Sequence, residues 1–110
     1  MRVINLDEFR KMPKGTIFSK YEPCIFNGLM IKDATIEFDY FYQDLIGNID
    51  ANSTGDFFDK CEAAKNKSVE LDFNCTARDG LYEKNQLFAI YEKKDVENFI
   101  ERLQETLKPI

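Results

Sequence analysis

The sequence predicts an α+β fold, a single domain over residues 1–110 with a mainly antiparallel sheet. Alternating apolar and polar residues indicate strands, and apolar residues near the C-terminus recur at helical spacing. The connections between these elements are short, which favours antiparallel neighbours, because a parallel crossover needs about a dozen residues or more. A C-terminal amphipathic helix and a middle helix are expected to pack on the sheet.

The first predicted element is a short helix. Asn5 followed by Glu8 is a capping-box pattern, in which the Asn side chain accepts a hydrogen bond from a helix amide. The helix is expected over residues 6–12, where Pro13 and Gly15 end it.

Short strands follow this helix. From their β-branched and aromatic content they are predicted at residues 16–21, 24–26 and 29–32. Asn27-Gly28 lies between the last two and predicts a hairpin turn, since both residues tolerate positive φ. A second turn is expected at residues 32–34.

Residues 36–42 alternate and predict a half-buried strand. The side chains expected to face the core are Ile36, Phe38, Tyr40 and Tyr42. The side chains expected to face solvent or a partner are Glu37, Asp39 and Phe41.

The C-terminal half predicts a helix, two strands and a final helix. Ser53 or Thr54 is expected to cap the first helix, which should end near Asn66. The strands are predicted at residues 68–76 and 87–91. Asp95 is expected to cap the last helix, whose apolar stripe should be buried against the sheet. This stripe consists of Val96, Phe99, Ile100, Leu103 and Leu107.

The composition excludes several kinds of chemistry. The chain has no histidine, so it lacks the commonest general base and the usual zinc, copper and non-haem iron ligand sets. No glycine-rich phosphate loop occurs. Cys61 and Cys75 fall on apolar faces and are predicted to be core residues, whereas a reactive thiolate at Cys24 has no identifiable base. We therefore expect no catalysis, no metal and no cofactor.

The N-terminal residues alternate charged and apolar side chains and do not form a signal peptide. The apolar runs are shorter than a membrane span, and three scattered cysteines indicate reduced thiols. A cytoplasmic protein without membrane contact is the expectation.

The stretch from 33 to 59 is both acidic and aromatic. It holds seven acidic residues and no Lys or Arg, within a chain of net charge −5. Such a surface disfavours direct nucleic-acid contact and suits a basic protein surface. The leading hypothesis is a non-enzymatic protein that binds a host protein in this way. The residues predicted to make the contact are Glu37, Asp39, Phe41, Asp44 and Asp50.

An alternative hypothesis concerns the basic and aromatic residues near the N-terminus. Together they suit a pocket for a small anionic ligand such as a nucleotide, whose base stacks on an aromatic ring. The residues predicted for this site are Arg10, Lys14, Phe18, Lys20 and Tyr21. Pairing of two copies through an edge strand is a further open possibility.

Three N-terminal segments carry a resemblance. Asp7-Glu8-Phe9-Arg10, Pro13-Lys14-Gly15-Thr16 and Ser19-Lys20-Tyr21-Glu22-Pro23 resemble the opening of small phage- and prophage-encoded proteins of unknown function. The resemblance covers the N-terminal third and contains no catalytic motif. It implies an accessory or counter-defence role, exerted by binding a host protein or sequestering a small molecule.

Overall fold

The computed structural model describes residues 1–81 and 83–109 and shows an α+β fold. A six-stranded antiparallel sheet is combined with a middle helix and a C-terminal helix, as predicted. The strands are β1 (Arg2–Ile4), β2 (Ile17–Glu22), β3 (Ile25–Ile36), β4 (Asp39–Asp44), β5 (Asn48–Ile49), β6 (Leu71–Asp72), β7 (Thr76–Arg78) and β8 (Leu87–Tyr91). The helices are α1 (Leu6–Arg10), α2 (Thr54–Ala63) and α3 (Lys93–Thr106).

The main sheet has the strand order β1-β8-β2-β3-β4-β7, and β5 and β6 form a separate ribbon. Within the main sheet, every pair of neighbouring strands is antiparallel. The short strand β1 was not predicted. It forms because its backbone pairs with β8, with Val3 opposite Ala89.

The hairpin predicted at Asn27-Gly28 is wrong, because this dipeptide lies within β3 and not between two strands. The chain reverses instead at Cys24, which has a φ of 67°. Gly28 takes its positive φ of 74° inside a β-bulge, where two residues of β3 lie opposite Ser19 of β2. The positive φ that Asn-Gly favours is therefore present, but it bends a strand and does not end one.

The turn predicted at residues 32–34 is also wrong. β3 is irregular there, since Lys32 pairs with Tyr42 and Thr35 with Tyr40, which leaves an extra residue on β3. The strand reverses at Glu37, which has a φ of 53°. Two bulges thus make β3 one long bent strand where the sequence predicted two short strands and two turns.

One face of the main sheet carries the core. Phe9 of α1 is fully buried there and stacks on Phe88 of β8, with ring centroids 4.0 Å apart and nearly parallel planes. The helix begins at the predicted cap, since the Asn5 side chain accepts a hydrogen bond from the Glu8 amide. The core cluster comprises Ile4, Leu6, Phe9, Phe18, Met30, Tyr40, Phe88 and Ile90.

The long strand predicted at residues 68–76 is wrong. The chain forms two short strands there, and β6 pairs with β5 in the separate ribbon. Leu71 and Phe73, predicted to face the core, are 42% and 59% exposed. Alternation predicted one strand, but the segment is divided between the separate ribbon, which contains β6, and the edge of the main sheet, which begins at Thr76 with β7.

The middle helix α2 begins at the predicted cap, Ser53, whose side chain accepts a hydrogen bond from the Asp56 amide. It lies against β5, and α3 lies against β8. The N-cap of α3 is Glu92, and the predicted cap Asp95 occupies the third helical position of a capping box. Among the helices of residues 1–81 and 83–109, none is long and apolar enough to cross a membrane.

Candidate binding surfaces

Two carboxylates of the acidic segment 33–59 form ion pairs with lysines of the same chain. Asp33 pairs with Lys14 at 3.1 Å, and Asp56 pairs with Lys60 at 3.3 Å. Hydrogen bonding by Lys14 is the main reason why the pKa of Asp33 lies below its usual value. These carboxylates already have cationic neighbours, so they contribute less to an acidic surface than the sequence predicted.

Asp39 is the largest departure from the predicted partner-binding set. It is 8% exposed, not outward-facing, and it accepts hydrogen bonds from the Arg78 side chain and the Gly80 amide. Burial works to raise the pKa of Asp39, but the bonds from Arg78 and from the amides of Tyr40 and Gly80 outweigh it and lower the pKa. Asp39 therefore holds β7 and the following turn against β4.

The other predicted contact residues are dispersed. Glu37 lies in the β3–β4 turn, and Asp44 lies at the far end of β4, roughly 20 Å away along an extended strand. Asp50 follows β5, and Phe41 is half-buried on β4 opposite Arg78. The structure thus leaves Glu37, Asp44 and Asp50 exposed but does not gather them into one patch.

Both aromatic residues of the predicted ligand-binding set contact other residues of the fold. Phe18 is fully buried in the core and cannot stack on a ligand. Tyr21 packs against Phe26, with ring centroids 5.5 Å apart, and its hydroxyl accepts a hydrogen bond from the Cys24 amide. The prediction that Phe18 lines a pocket is wrong, because the strand alternation places it on the core face.

Lys20 points to the core face and pairs with Asp79 at 2.7 Å. Near this pair lies Tyr40, whose hydroxyl is buried and has no hydrogen-bond partner among the described residues. Burial and then Asp79 raise the pKa of Tyr40, so the phenol stays protonated. Lys32 is also buried, which lowers its pKa, and its ammonium group donates a hydrogen bond to Thr35. These polar groups act inside the fold.

Arg10 is the member of the predicted ligand set that lines an open cleft. The cleft has a volume of about 650 Å³ and separates α1 from residues 84–87. Its polar and aromatic lining includes Asn5, Arg10, Phe38, Lys84, Asn85 and Gln86. We call it the Arg10 cleft.

Phe38 is the aromatic residue of the Arg10 cleft. The Arg10 guanidinium lies 5.7 Å from the centre of its ring and donates a hydrogen bond to its carbonyl oxygen at 3.1 Å. Asp7 forms an ion pair with the same guanidinium. Phe38 was predicted to be buried, but it is 71% exposed, because it occupies the turn before β4 begins. The sequence contains no signal that would join Phe38 to Lys84.

The apolar stripe of α3 forms a second surface. Its Phe99 ring packs against Tyr91, but Ile100, Leu103 and Leu107 are 50%, 61% and 84% exposed. The prediction that the whole stripe is buried is therefore wrong. A cleft of about 500 Å³ separates this helix from the end of β4, where Leu45 and Ile46 are also exposed. We call Leu45, Ile46, Ile100, Leu103 and Leu107 together the α3 surface.

The cysteines do not form a site. Cys24 and Cys75 are exposed and Cys61 is half-buried, so the prediction that Cys75 is a core residue is wrong. Within residues 1–81 and 83–109, no group of three or more carboxylate or thiol side chains is placed to hold a metal ion.

Comparison of the chain with family models, curated proteins and solved structures finds no match.

Proposed function

We propose that the protein is a non-enzymatic binding protein that captures a small anionic ligand with a planar group, such as a nucleotide, in the Arg10 cleft. The observation that carries this proposal is the position of the Arg10 guanidinium beside the exposed ring of Phe38. Capture without turnover is also how an accessory or counter-defence protein of the kind implied by the N-terminal resemblance would act.

The chemistry of the cleft suits such a ligand. Arg10 and Lys84 supply positive charge, and Phe38 exposes an aromatic ring on which a base can stack. The amides of Asn85 and Gln86 supply donors and acceptors for the edge of a base. Known ligand pockets have volumes of about 300–1,000 Å³, and this cleft lies within that range.

Arg10 is oriented before any ligand arrives. Its guanidinium is held by the Phe38 carbonyl and by Asp7. A side chain that is already ordered loses less conformational entropy on binding. Asp7 balances part of the positive charge of Arg10, so a ligand gains most if its anionic group also reaches Lys84.

Isothermal titration calorimetry against inorganic phosphate and a panel of cyclic and linear nucleotides tests the proposal. Arg10→Gln and Phe38→Ala should each weaken binding of the best ligand at least about tenfold, a change of about 1.4 kcal/mol. Lys11→Gln is the matched control, since Lys11 neighbours Arg10 but does not line the cleft. Absence of binding across the panel, or equal binding by the three variants, would contradict the proposal.

A second candidate function is binding of a basic surface on a host protein. Its support is that Glu37, Asp44 and Asp50 are exposed and make no ion pair within residues 1–81 and 83–109. Phe41 on β4 is half-buried and offers less contact area than expected. Asp39 belongs to the fold and is not part of this proposed site.

The test of this second function uses a host protein that co-purifies with the chain and is identified by mass spectrometry. Its affinity should fall steeply between low and high salt, and Glu37→Lys combined with Asp50→Lys should weaken it further. A complex that is insensitive to both salt and the double substitution would remove this candidate.

A further inference from the structure

The chain exposes more surface than a compact monomer of its size. Its accessible surface is 8304 Å², whereas a folded monomer of 12.9 kDa exposes about 6,300 Å². Its radius of gyration is 16.3 Å, against about 13 Å for a compact domain of this length. The excess of about 2,000 Å² is in the range that one subunit buries in an obligate dimer, about 1,000–2,500 Å².

The α3 surface carries several of the chain's exposed apolar side chains. Leu103 and Leu107 are 61% and 84% exposed, and Ile46 across the cleft is 75% exposed. Contiguous exposed apolar side chains on a monomer mark an interaction site. Because Phe99 fixes the helix to Tyr91, the stripe stays at the surface and does not fold back onto the sheet.

The charges beside the α3 surface suit a second copy of the same chain. Asp44 and Arg102 line the same cleft but lie too far apart to form an ion pair with each other. In a two-fold symmetric interface, if residue i of one copy contacts residue j of the other, the converse contact also forms. Asp44 of each copy would then meet Arg102 of the other, which gives two equivalent pairs.

We propose that the α3 surface is the interface of a symmetric homodimer, in which the apolar stripes of two α3 helices pack together and Asp44 of each copy pairs with Arg102 of the other. This inference is independent of the Arg10 cleft, which lies between α1 and residues 84–87. The occupant is a second copy because the surface is apolar at its centre and carries both charges of its own pair at the rim.

Sedimentation equilibrium on the full chain tests the dimer. The wild-type protein should have a mass of about 26 kDa, twice 12.9 kDa. Leu103→Glu should raise the dimer dissociation constant at least about tenfold, because it places a charge in the apolar centre. Phe58→Glu is the matched control, since Phe58 is 64% exposed but lies on α2, and this variant should remain dimeric. Circular dichroism checks that both variants are folded.

A charge-swap experiment tests the symmetry. Asp44→Arg and Arg102→Asp should each weaken the dimer, because each creates two like-charge contacts across the interface. An equimolar mixture of the two variants should regain the wild-type dissociation constant, because both pairs are then opposite in charge. A pair formed within one chain could not be restored by mixing.

The proposal is overturned if the wild-type protein is a monomer at all concentrations. It is also overturned if Leu103→Glu remains as dimeric as Phe58→Glu, which would assign the dimer to another surface such as a sheet edge. Failure of the mixture to regain dimerisation would remove the two-fold arrangement.

Discussion

The ring of Phe99 meets the ring of Tyr91 edge to face, with centroids 5.1 Å apart and planes inclined at 77°. This contact joins α3 to β8 and to the main sheet. The Tyr91 hydroxyl in turn lies 2.7 Å from the hydroxyl of the buried Ser19, so the aromatic contact is tied to the middle of the sheet. This aromatic pair, together with the ion pair between the Met1 amino group and Asp95 at 2.7 Å, orients α3 and its exposed apolar stripe.

Phe99→Ala should loosen α3 without unfolding the sheet. Because Phe99 is half-buried, we expect a loss of roughly 1.5–2.5 kcal/mol in the free energy of unfolding, below the range for a fully buried Phe. Urea denaturation at one fixed protein concentration measures it, since the stability of a dimer depends on concentration. Hydrogen exchange should show α3 amides losing protection before those of β8. Gln104→Ala, on the exposed part of the same helix, should stay within about 0.5 kcal/mol of wild type; equal losses in the two variants would contradict the anchoring role.

Phe9→Ala should be the most destabilising of these changes. Phe9 is fully buried and contacts the rings of Phe18, Tyr40 and Phe88. Loss of a fully buried Phe typically lowers the free energy of unfolding by about 3–5 kcal/mol. Phe73→Ala is the control, since Phe73 is 59% exposed, and it should change the urea midpoint little. A small effect of Phe9→Ala would show that α1 is a dispensable lid.

Asp39 should contribute a pH-dependent part of the stability. Its pKa in the folded state is below the ordinary value of 3.8, so the unfolded chain binds more protons near pH 4. The contribution is therefore complete above that pH and is lost as the pH falls through the folded-state pKa. Asp39→Asn should lower the free energy of unfolding at pH 7 by roughly 1–3 kcal/mol, because the Arg78 contact weakens and an amide is a poorer acceptor than a carboxylate.

The difference between wild type and Asp39→Asn should shrink on acidification from pH 7 to pH 3, measured by urea denaturation. Other carboxylates also titrate in this range, so the comparison is made between the two proteins and not within one curve. Asp50→Asn serves as the control, since Asp50 is exposed and forms no ion pair within residues 1–81 and 83–109. A difference that is constant with pH would mean that the carboxylate charge of Asp39 does not stabilise the fold.

Gly28 and Gly55 should respond in opposite directions to alanine. Gly28→Ala must hold a φ of 74°, and its new methyl group would lie 3.2 Å from the Met30 side chain, so a loss of about 1–2 kcal/mol is expected. Gly55 lies in the first turn of α2, where a new methyl group would lie 3.9 Å from Ser53 Oγ, an ordinary contact distance. Gly55→Ala should therefore stabilise the protein by up to about 1 kcal/mol. Melting temperatures of the two variants measure both effects. Stabilisation by Gly28→Ala would be incompatible with the bulge.

Local patterns predicted the elements whose causes are local. The Asn5 and Ser53 caps appear as expected, because capping depends on residues within one turn of the helix. Bulges and strand register depend on the partner strand, which local patterns do not reveal. Asn27-Gly28 therefore predicted a turn, whereas pairing with β2 places this dipeptide at a bulge within β3. The alternation at residues 68–76 likewise predicted one strand. A strand forms only where a neighbouring strand pairs with it, and here β5 pairs with β6 while β4 pairs with β7.

In the candidate sites, too, some features depend on local sequence and others depend on residues distant in the sequence. Residue type and spacing alone establish that histidine chemistry is absent, that the net charge is −5 and that the last helix carries an apolar stripe. Tertiary structure decided that Arg10 lies beside Phe38, that Asp39 is buried against Arg78 and that the stripe remains exposed. Arg10 and Phe38 are 28 residues apart in the sequence, and Asp39 and Arg78 are 39 apart. These contacts therefore depend on how the strands are ordered in the sheet. Residue patterns report which side chains avoid water, but only packing determines whether another surface covers them.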